Sequence, residues 1–522
     1  MSGVELGLAS FAAADLVLKY GRKLIKLYKD YNSADDYVKE SILLVEAILS
    51  RADTQVGFLK QVNDKLSNDQ RRIQFELYEM LKDRLHFTVS KLESVISEKG
   101  IRKVKLAFVK SSIKEVVEQL ERWQRIFDPT WLLIFRTRDI IMDTELQTEL
   151  EASSRTGPVG ESIAAQASRE TLGEAHAFRR IVNGELDQVH VTLPQEKLNW
   201  SQAESVSFSS TQIIERIGSQ KRYLVNSIPC HSNMDIASVR ADSEDLARKL
   251  HQINSEDCGL LACYGLVKRR NSGQKKINSL DLVFQMPQKD ATPVTLREHL
   301  MQPQTFSLTE ALNLSRHLAG AVSYVHAYHF VHKNIQPENI LLFPKNEPNT
   351  SLGSAYLLGF DSFRSVNFQT LFEGDITWEG NLYRHPGRQG LRAHDKYVMQ
   401  HDVYSLGVCL LEIGLWASFV QHDSGETAPG EALGLTVEDF GKIQETGKPS
   451  SFIKDHLVRL AQSKLPVKMG DRYTAVVVTC LCCLDEDNED FGGESDMRDD
   501  DGILIGVKFI GKVLMRLNEI SI

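Results

Sequence analysis

The sequence predicts a multidomain protein, an all-α helical bundle at the N-terminus followed by an α+β unit. Three observations lead there. From residue 8 to about 150 apolar side chains recur at helical spacing, glycine is scarce, and proline is absent before Pro129. From about residue 200 the pattern shifts to short apolar strands, Tyr223-Leu224-Val225-Asn226-Ser227-Ile228 and Leu280-Asp281-Leu282-Val283-Phe284-Gln285-Met286 among them, and then to longer helical stretches. Finally, 522 residues exceed what a single hydrophobic core organises.

Within the N-terminal bundle an apolar stripe runs Leu16, Tyr20, Leu24, Leu27, Tyr31, and a second Val38, Ile42, Val45, Leu49, Ala52, Val56, Leu59. A third includes Leu77, Leu81, Leu85, Leu92 and Val95, and a fourth Val109, Ile113, Val116, Leu120, Trp123, Phe127. Capping or helix-stopping residues fall at Tyr31-Asn32-Ser33, Asn63-Asp64, Gly100 and Asp128-Pro129. Short breaks imply antiparallel neighbours, hence a four-helix bundle with a further helix over 131–150. The expected boundaries are 1–150 for the bundle, 151–199 for a linker or extended segment, and 200–522 for the α+β unit. A second irregular stretch, the acidic run 485–501, reads as a disordered insertion before a last helix at about 503–517.

The first helix carries an exposed-looking basic face, Lys19, Arg22, Lys23, Lys26 and Lys29, behind the apolar segment Leu6-Gly7-Leu8-Ala9-Ser10-Phe11-Ala12-Ala13-Ala14. A basic amphipathic helix with an apolar tip suits anionic lipid, with Leu8 and Phe11 as the inserting side chains. The plainer reading is a solvated bundle face.

Composition narrows the remaining classes. A net charge of −9 argues against a general nucleic-acid binder. Seven cysteines, none before Cys230, form no disulfide framework, and Cys480, Cys482 and Cys483 read as buried small residues rather than metal ligands. The N-terminal apolar stretch lacks a basic lead-in and carries Glu5 and Asp15, so no secretory signal is expected. No window suits a membrane-spanning helix. A cytoplasmic protein is expected, with recruitment to the plasma membrane if the first helix meets lipid.

The segment Val331-His332-Lys333-Asn334-Ile335-Gln336-Pro337-Glu338-Asn339-Ile340-Leu341-Leu342 resembles the catalytic loop of protein kinases, His-Arg-Asp followed four residues later by Asn and then an apolar strand. His332 and Asn339 are kept. Asn334 stands where the family has the Asp that accepts the substrate hydroxyl proton, and an amide is no base near neutral pH. In Leu357-Leu358-Gly359-Phe360-Asp361, Phe360 matches the Phe of Asp-Phe-Gly, Gly359 replaces the Mg²⁺-binding Asp, and Asp361 sits two positions late. The strand at 223–228 holds no lysine to match the one a kinase places there, since Lys221 and Arg222 come too early. Between Ile213 and Tyr223 only Gly218 occurs, so the repeated glycines that let backbone approach a triphosphate are missing.

Scaffold positions remain. Asp402-Val403-Tyr404-Ser405-Leu406-Gly407-Val408 resembles the start of the kinase αF helix, whose Asp ties down the catalytic loop, and Pro386 in Tyr383-Arg384-His385-Pro386-Gly387 matches the Pro of Ala-Pro-Glu. Residues 308–326 read as the helix preceding the catalytic loop. The resemblance implies an α+β bilobal protein-kinase-like fold with no catalytic residues, no metal and no cofactor; retained ATP binding is the disfavoured outcome.

Gly7-Leu8-Ala9-Ser10-Phe11 followed by Asp15-Leu16-Val17-Leu18-Lys19-Tyr20-Gly21-Arg22-Lys23-Leu24 resembles the start of the fungal HeLo domain family, helical bundles of cell-death executioners that permeabilise membranes. A HeLo-type bundle ahead of a degenerate kinase also has the layout of the mixed-lineage kinase domain-like family of animal necroptosis. That resemblance implies a pseudokinase restraining a membrane-active bundle, with self-association on activation, anionic lipid as partner and an upstream activator the sequence does not name. Two alternatives stay open: a weak atypical kinase using Asp361 and Asn339 on the metal, and a signalling adaptor whose bundle never touches lipid.

Overall fold

The helical spacing of the first 185 residues becomes six helices among the described residues: α1 (Gly3–Tyr31), α2 (Asp36–Val62), α3 (Asn68–Ser97), α4 (Arg102–Ile134), α5 (Ile140–Ser154) and α6 (Ile163–Val182). The computed structural model describes residues 3–31, 36–97, 102–137, 140–154, 163–185, 190–230, 235–253, 258–270, 276–289, 291–344, 352–361, 364–365, 377–389, 397–423, 425–440, 451–491 and 503–521. The chain divides into two units, Met1–Glu185 and Leu186–Ile522.

In the first unit the core is aromatic at its centre. Phe58, Trp131 and Phe135 meet edge to face or tilted, and Tyr78, Trp123 and Phe127 form a second trio. Trp123 donates its indole N–H to the Leu77 carbonyl at 3.0 Å. This packing explains why α4 does not stop at Asp128-Pro129 as expected but runs through to Ile134. A proline inside a helix removes one hydrogen bond and costs about 3 kcal/mol. Here buried aromatic side chains flank it on both sides, and Asp128 is held by Arg51 at 3.1 Å and Gln55 at 3.2 Å.

The expected apolar stripe of α1 is also displaced. Leu16, Tyr20 and Leu27 are only half-buried, and the buried line is Gly7, Ser10, Ala13, Ala14, Val17, Gly21, Leu24 and Tyr28. Small residues bring the helices close. A Cβ on Gly21 would lie 2.5 Å from the Leu49 side chain, and one on Gly7 would lie 2.8 Å from that of Asn63. Hydropathy periodicity undervalues Gly and Ser, which is why it misplaces the stripe.

The expected linker 151–199 is largely structured instead. Helix α6 occupies 163–182 and packs on α2, with Thr54 donating to Ser168 at 2.7 Å. Arg179, 3% exposed, pairs with Asp143 of α5 and donates to the Phe135 and Thr137 carbonyls at the end of α4. An amphipathic helix with five alanines and few large apolar side chains offers little apolar signal, so its periodicity is easily missed. Residues 155–162, within that stretch, lie outside the described residues, as do Asn32-Ser33 and Gly100.

The second unit opens with a six-stranded sheet in the order β1-β5-β6-β4-β3-β2. Its strands are β1 (Thr192–Leu193), β2 (Glu204–Ser205), β3 (Gln212–Glu215), β4 (Arg222–Pro229), β5 (Cys263–Arg269) and β6 (Ser279–Gln285). All pairs are antiparallel except β1 with β5. Helix α7 (Ile236–His251) follows β4, capped by Asp235. The segment before the sheet, also inside the expected linker, is built onto it. Leu198 and Trp200 cover one face together with Tyr223, Val225, Val267 and Val283.

The second lobe is mainly helical. Helix Leu308–Ala327, capped by Ser307, leads to β7 (Phe330–Val331), the catalytic-loop segment and β8 (Ile340–Phe343). Helix Met399–Leu415 is buried along its whole length and meets helices Phe452–Met469 and Asp471–Leu481. Gly407 permits the approach, since a Cβ there would lie 2.8 Å from that of Cys480. The acidic run is not simply an insertion. Asp490 pairs with Arg516 at 2.6 Å and Lys512 at 3.0 Å, and Asp485 pairs with Lys454. Its remainder, 492–501, lies outside the described residues.

Candidate functional site

The segment 332–339 is held from below by one buried carboxylate. Asp402, in the first turn of helix Met399–Leu415, accepts from the His332 N–H at 2.7 Å and the Lys333 N–H at 2.9 Å. Tyr397 donates to it at 2.7 Å, and His326 lies 3.1 Å away. Burial alone would raise the Asp402 pKa, but hydrogen bonding from His326 and Tyr397 and the neighbouring imidazoles bring it below the usual carboxylate range. The same grip holds Lys333 in the left-handed region, φ 65°, where a non-glycine residue rarely sits. Pro386 is buried in a short turn, Pro386–Arg388, beside the same helix.

Above this anchor, the side chains expected to carry chemistry face one another. Asn334 donates its amide to Asp361 Oδ1 at 2.7 Å, and Asn339 donates to the Asn334 carbonyl at 2.8 Å. Phe360 is buried between His332, 4.7 Å between ring centres, and Phe284, 6.1 Å away. Gly359 has φ +86°, and a Cβ there would lie 2.2 Å from Asn339 Cγ. The backbone that would present a metal-binding Asp is therefore in a glycine conformation, with the Asn339 amide filling the space. His332 is neutral, its pKa pushed down to about 4 by burial.

The register of β4 divides its side chains between the two faces of the sheet. Tyr223 and Val225 point to the face covered by Leu198 and Trp200, so Leu224, Asn226 and Ile228 take the other face. Asn226, fully buried, donates to Ser210 at 3.4 Å, and it occupies the last place of a Val-Ala-Ile-Lys pattern. Lys221 instead lies over the rings of Tyr223 and Tyr264. Glu244, the glutamate of α7, is committed to Lys268 at 2.8 Å, Arg240 at 2.9 Å and Arg248 at 3.7 Å.

The expected phosphate loop needs correcting. Gly218 lies in the turn between β3 and β4, near Gln285 where β6 ends. The loop beside Asn226 is 206–211, Val-Ser-Phe-Ser-Ser-Thr, with no glycine.

Sequence reasoning missed one further cluster. Arg297, fully buried in helix Leu296–Leu300, is bound by Glu338 at 2.8 Å, Glu412 at 2.7 Å, Ser418 at 2.7 Å and the Tyr383 hydroxyl. Burial would raise both carboxyls; Arg297 brings Glu338 below its ordinary range, while Glu412 stays above it. Burial likewise raises the Cys480 and Cys483 thiols, and Cys482 is pushed up to about 11.

On α1 every member of the basic face, Lys19, Arg22, Lys23, Lys26 and Lys29, is exposed. Leu8 is 67% exposed, and Phe11 is half-buried near Lys60. Acidic neighbours meet some of these cations: Asp53 at 3.5 Å from Arg22, Glu93 at 2.8 Å from Lys23 and Glu46 at 2.5 Å from Lys29. Among the described residues no helix is long and apolar enough to cross a membrane.

Residues 261–481 match the family model of the protein kinase domain. The second unit has a bilobal protein-kinase-like fold. The match begins just before β5, after loop 206–211, strand β4 and helix α7. A Saccharomyces cerevisiae protein named "Putative serine/threonine-protein kinase YPL150W" is 34% identical over 115 residues, which is 22% of this chain and 12% of that protein. The chain therefore aligns with only a small fraction of that relative.

Proposed function

We propose that the kinase-like unit is catalytically silent and regulates the helical unit, which acts as a membrane-targeting executioner of the HeLo type in regulated cell death. The observation that carries the silent half is the pairing of Asn334 with Asp361 beneath a Gly359 whose missing Cβ is replaced by the Asn339 amide. Base, metal carboxylate and nucleotide lysine are absent together, so Mg·ATP is not expected as a cofactor. An atypical kinase would need Asp361 to leave the Asn334 amide for the metal.

The effector half rests on the exposed basic face of α1 behind exposed Leu8. Anionic membrane is the partner this chemistry fits, with self-association after recruitment. Liposome binding tests it. Changing Lys19, Arg22, Lys23 and Lys26 to Glu is expected to abolish recruitment of the whole chain to anionic vesicles, and salt is expected to weaken wild-type binding. Recruitment that survives both would make α1 an ordinary solvated face, and a wild-type chain that binds no anionic vesicle would leave the adaptor reading. That reading draws on the ion pairs to Asp53, Glu93 and Glu46, which offset some of the basic charge.

A further inference from the structure

We propose that the cleft of the kinase-like unit is closed by a clasp of its own, in which loop 206–211 of the first lobe grips the hairpin β9 (Val420–Asp423) and β10 (Glu426–Pro429) of the second. The loop reaches the second lobe through two neighbouring residues. The Ser207 carbonyl accepts a hydrogen bond from the buried Thr295 hydroxyl at 3.1 Å, and the Phe208 ring sits 5.0 Å from that of His422, tilted by 37°. Thr295 is rigidly placed, because its hydroxyl also caps helix Leu296–Leu300. The His422 imidazole lies 4.0 Å from Glu338, which Arg297 holds from beneath. The clasp is thus seated on the buried arginine cluster rather than on a loose surface loop.

The loop is shaped for this reach. Val206 donates to the Thr211 carbonyl at 3.0 Å and Ser209 to the Val206 carbonyl at 3.1 Å, which projects Ser207 and Phe208 at the tip. Phe208 has φ 60°, a conformation that a bulky residue holds only when its surroundings fix it. Two polar groups in and beside the loop are unsatisfied. Asn226 Oδ1 and Thr211 Oγ1 are buried with no hydrogen-bond partner. Opening would hydrate both and relax Phe208, so the closed state is held by the clasp against local cost. That balance makes it a two-state element, which a partner gripping hairpin 420–429 or a ligand entering the cleft would release.

Hydrogen exchange on the full chain tests the contact, because each half reports on the other. Phe208→Ala should speed amide exchange in 420–429, and His422→Ala should speed it in 206–211, each by about two- to tenfold, the range an aromatic pair is worth. Phe208 is 37% exposed and the His422 side chain 28%, so both variants keep their cores. The double variant should add nothing to either single, and Ile217→Ala in the opposite turn should leave both segments unchanged. If each substitution alters only its own segment, or the two effects simply sum, the lobes are not clasped.

Discussion

At position 359 the structure leaves no room for a side chain. With φ +86° and the Asn339 amide 2.2 Å from where a Cβ would stand, an aspartate cannot be restored by one substitution. Gly359→Asp is expected to destabilise the kinase-like unit by about 2–4 kcal/mol, from left-handed strain and a buried carboxylate without a partner. Adding Asn339→Ala should recover some of the loss by removing the clash but not the strain. Thermal melts of the single and double variants check this; a Gly359→Asp protein as stable as wild type would contradict the geometry. The sequence makes Asn334 and Gly359 legible because the surrounding frame of His332, Asn339 and Phe360 is intact. It does not make Asn226 legible, because nothing in a hydropathy pattern says which face of β4 meets the cleft.

Among the elements, helix Met399–Leu415 organises the second lobe, and its environment has a pH signature. His332, His385 and His401 cluster around its N-terminal end, with pKa values pushed down by burial to about 4, about 4 and about 3. The folded values lie below the unfolded value near 6.5, so the unfolded chain takes up protons first as pH falls. Stability from these groups is whole above pH 6.5 and declines from there toward pH 4, by up to about 1.4 kcal/mol per pH unit for each histidine. The melting temperature should fall steadily from pH 6.5 to 5, and His401→Gln should flatten the slope by about a third. A level profile over that range would contradict the burial. Arg297 makes a second element-scale prediction. Arg297→Met strands Glu338 and Glu412 in the interior, and a loss of about 3–5 kcal/mol is expected by denaturant unfolding. Neither feature is legible in the sequence, since a buried Arg and a histidine cluster assemble from distant segments, as with Arg297 and Glu412, 115 positions apart. Helix α4 shows the opposite limit: Pro129 reads as a stop, and packing of Trp123, Phe127, Trp131 and Phe135 overrides it.

For the whole molecule the division into a helical unit and a two-lobed unit is legible, because periods of 3.6 and 2 occupy different stretches of the chain. The boundary is not: α6 and residues 190–202 look like linker, and they belong to one unit and the other. The two halves make separable demands. Replacing Leu8 and Phe11 by polar residues is expected to spare vesicle recruitment yet stop dye leakage, because burial of the apolar tip drives entry. Leakage that persists in this variant would mean the tip is not the inserting segment. The proposed regulatory role depends on catalytic silence, and phosphoryl transfer measures that most directly. With base, metal carboxylate and lysine gone, each worth on the order of a hundredfold or more in rate, the chain incubated with radiolabelled ATP and Mg²⁺ should incorporate no label above buffer. Label that appears with wild type and disappears with Asp361→Ala would contradict the account and assign the site to an atypical kinase.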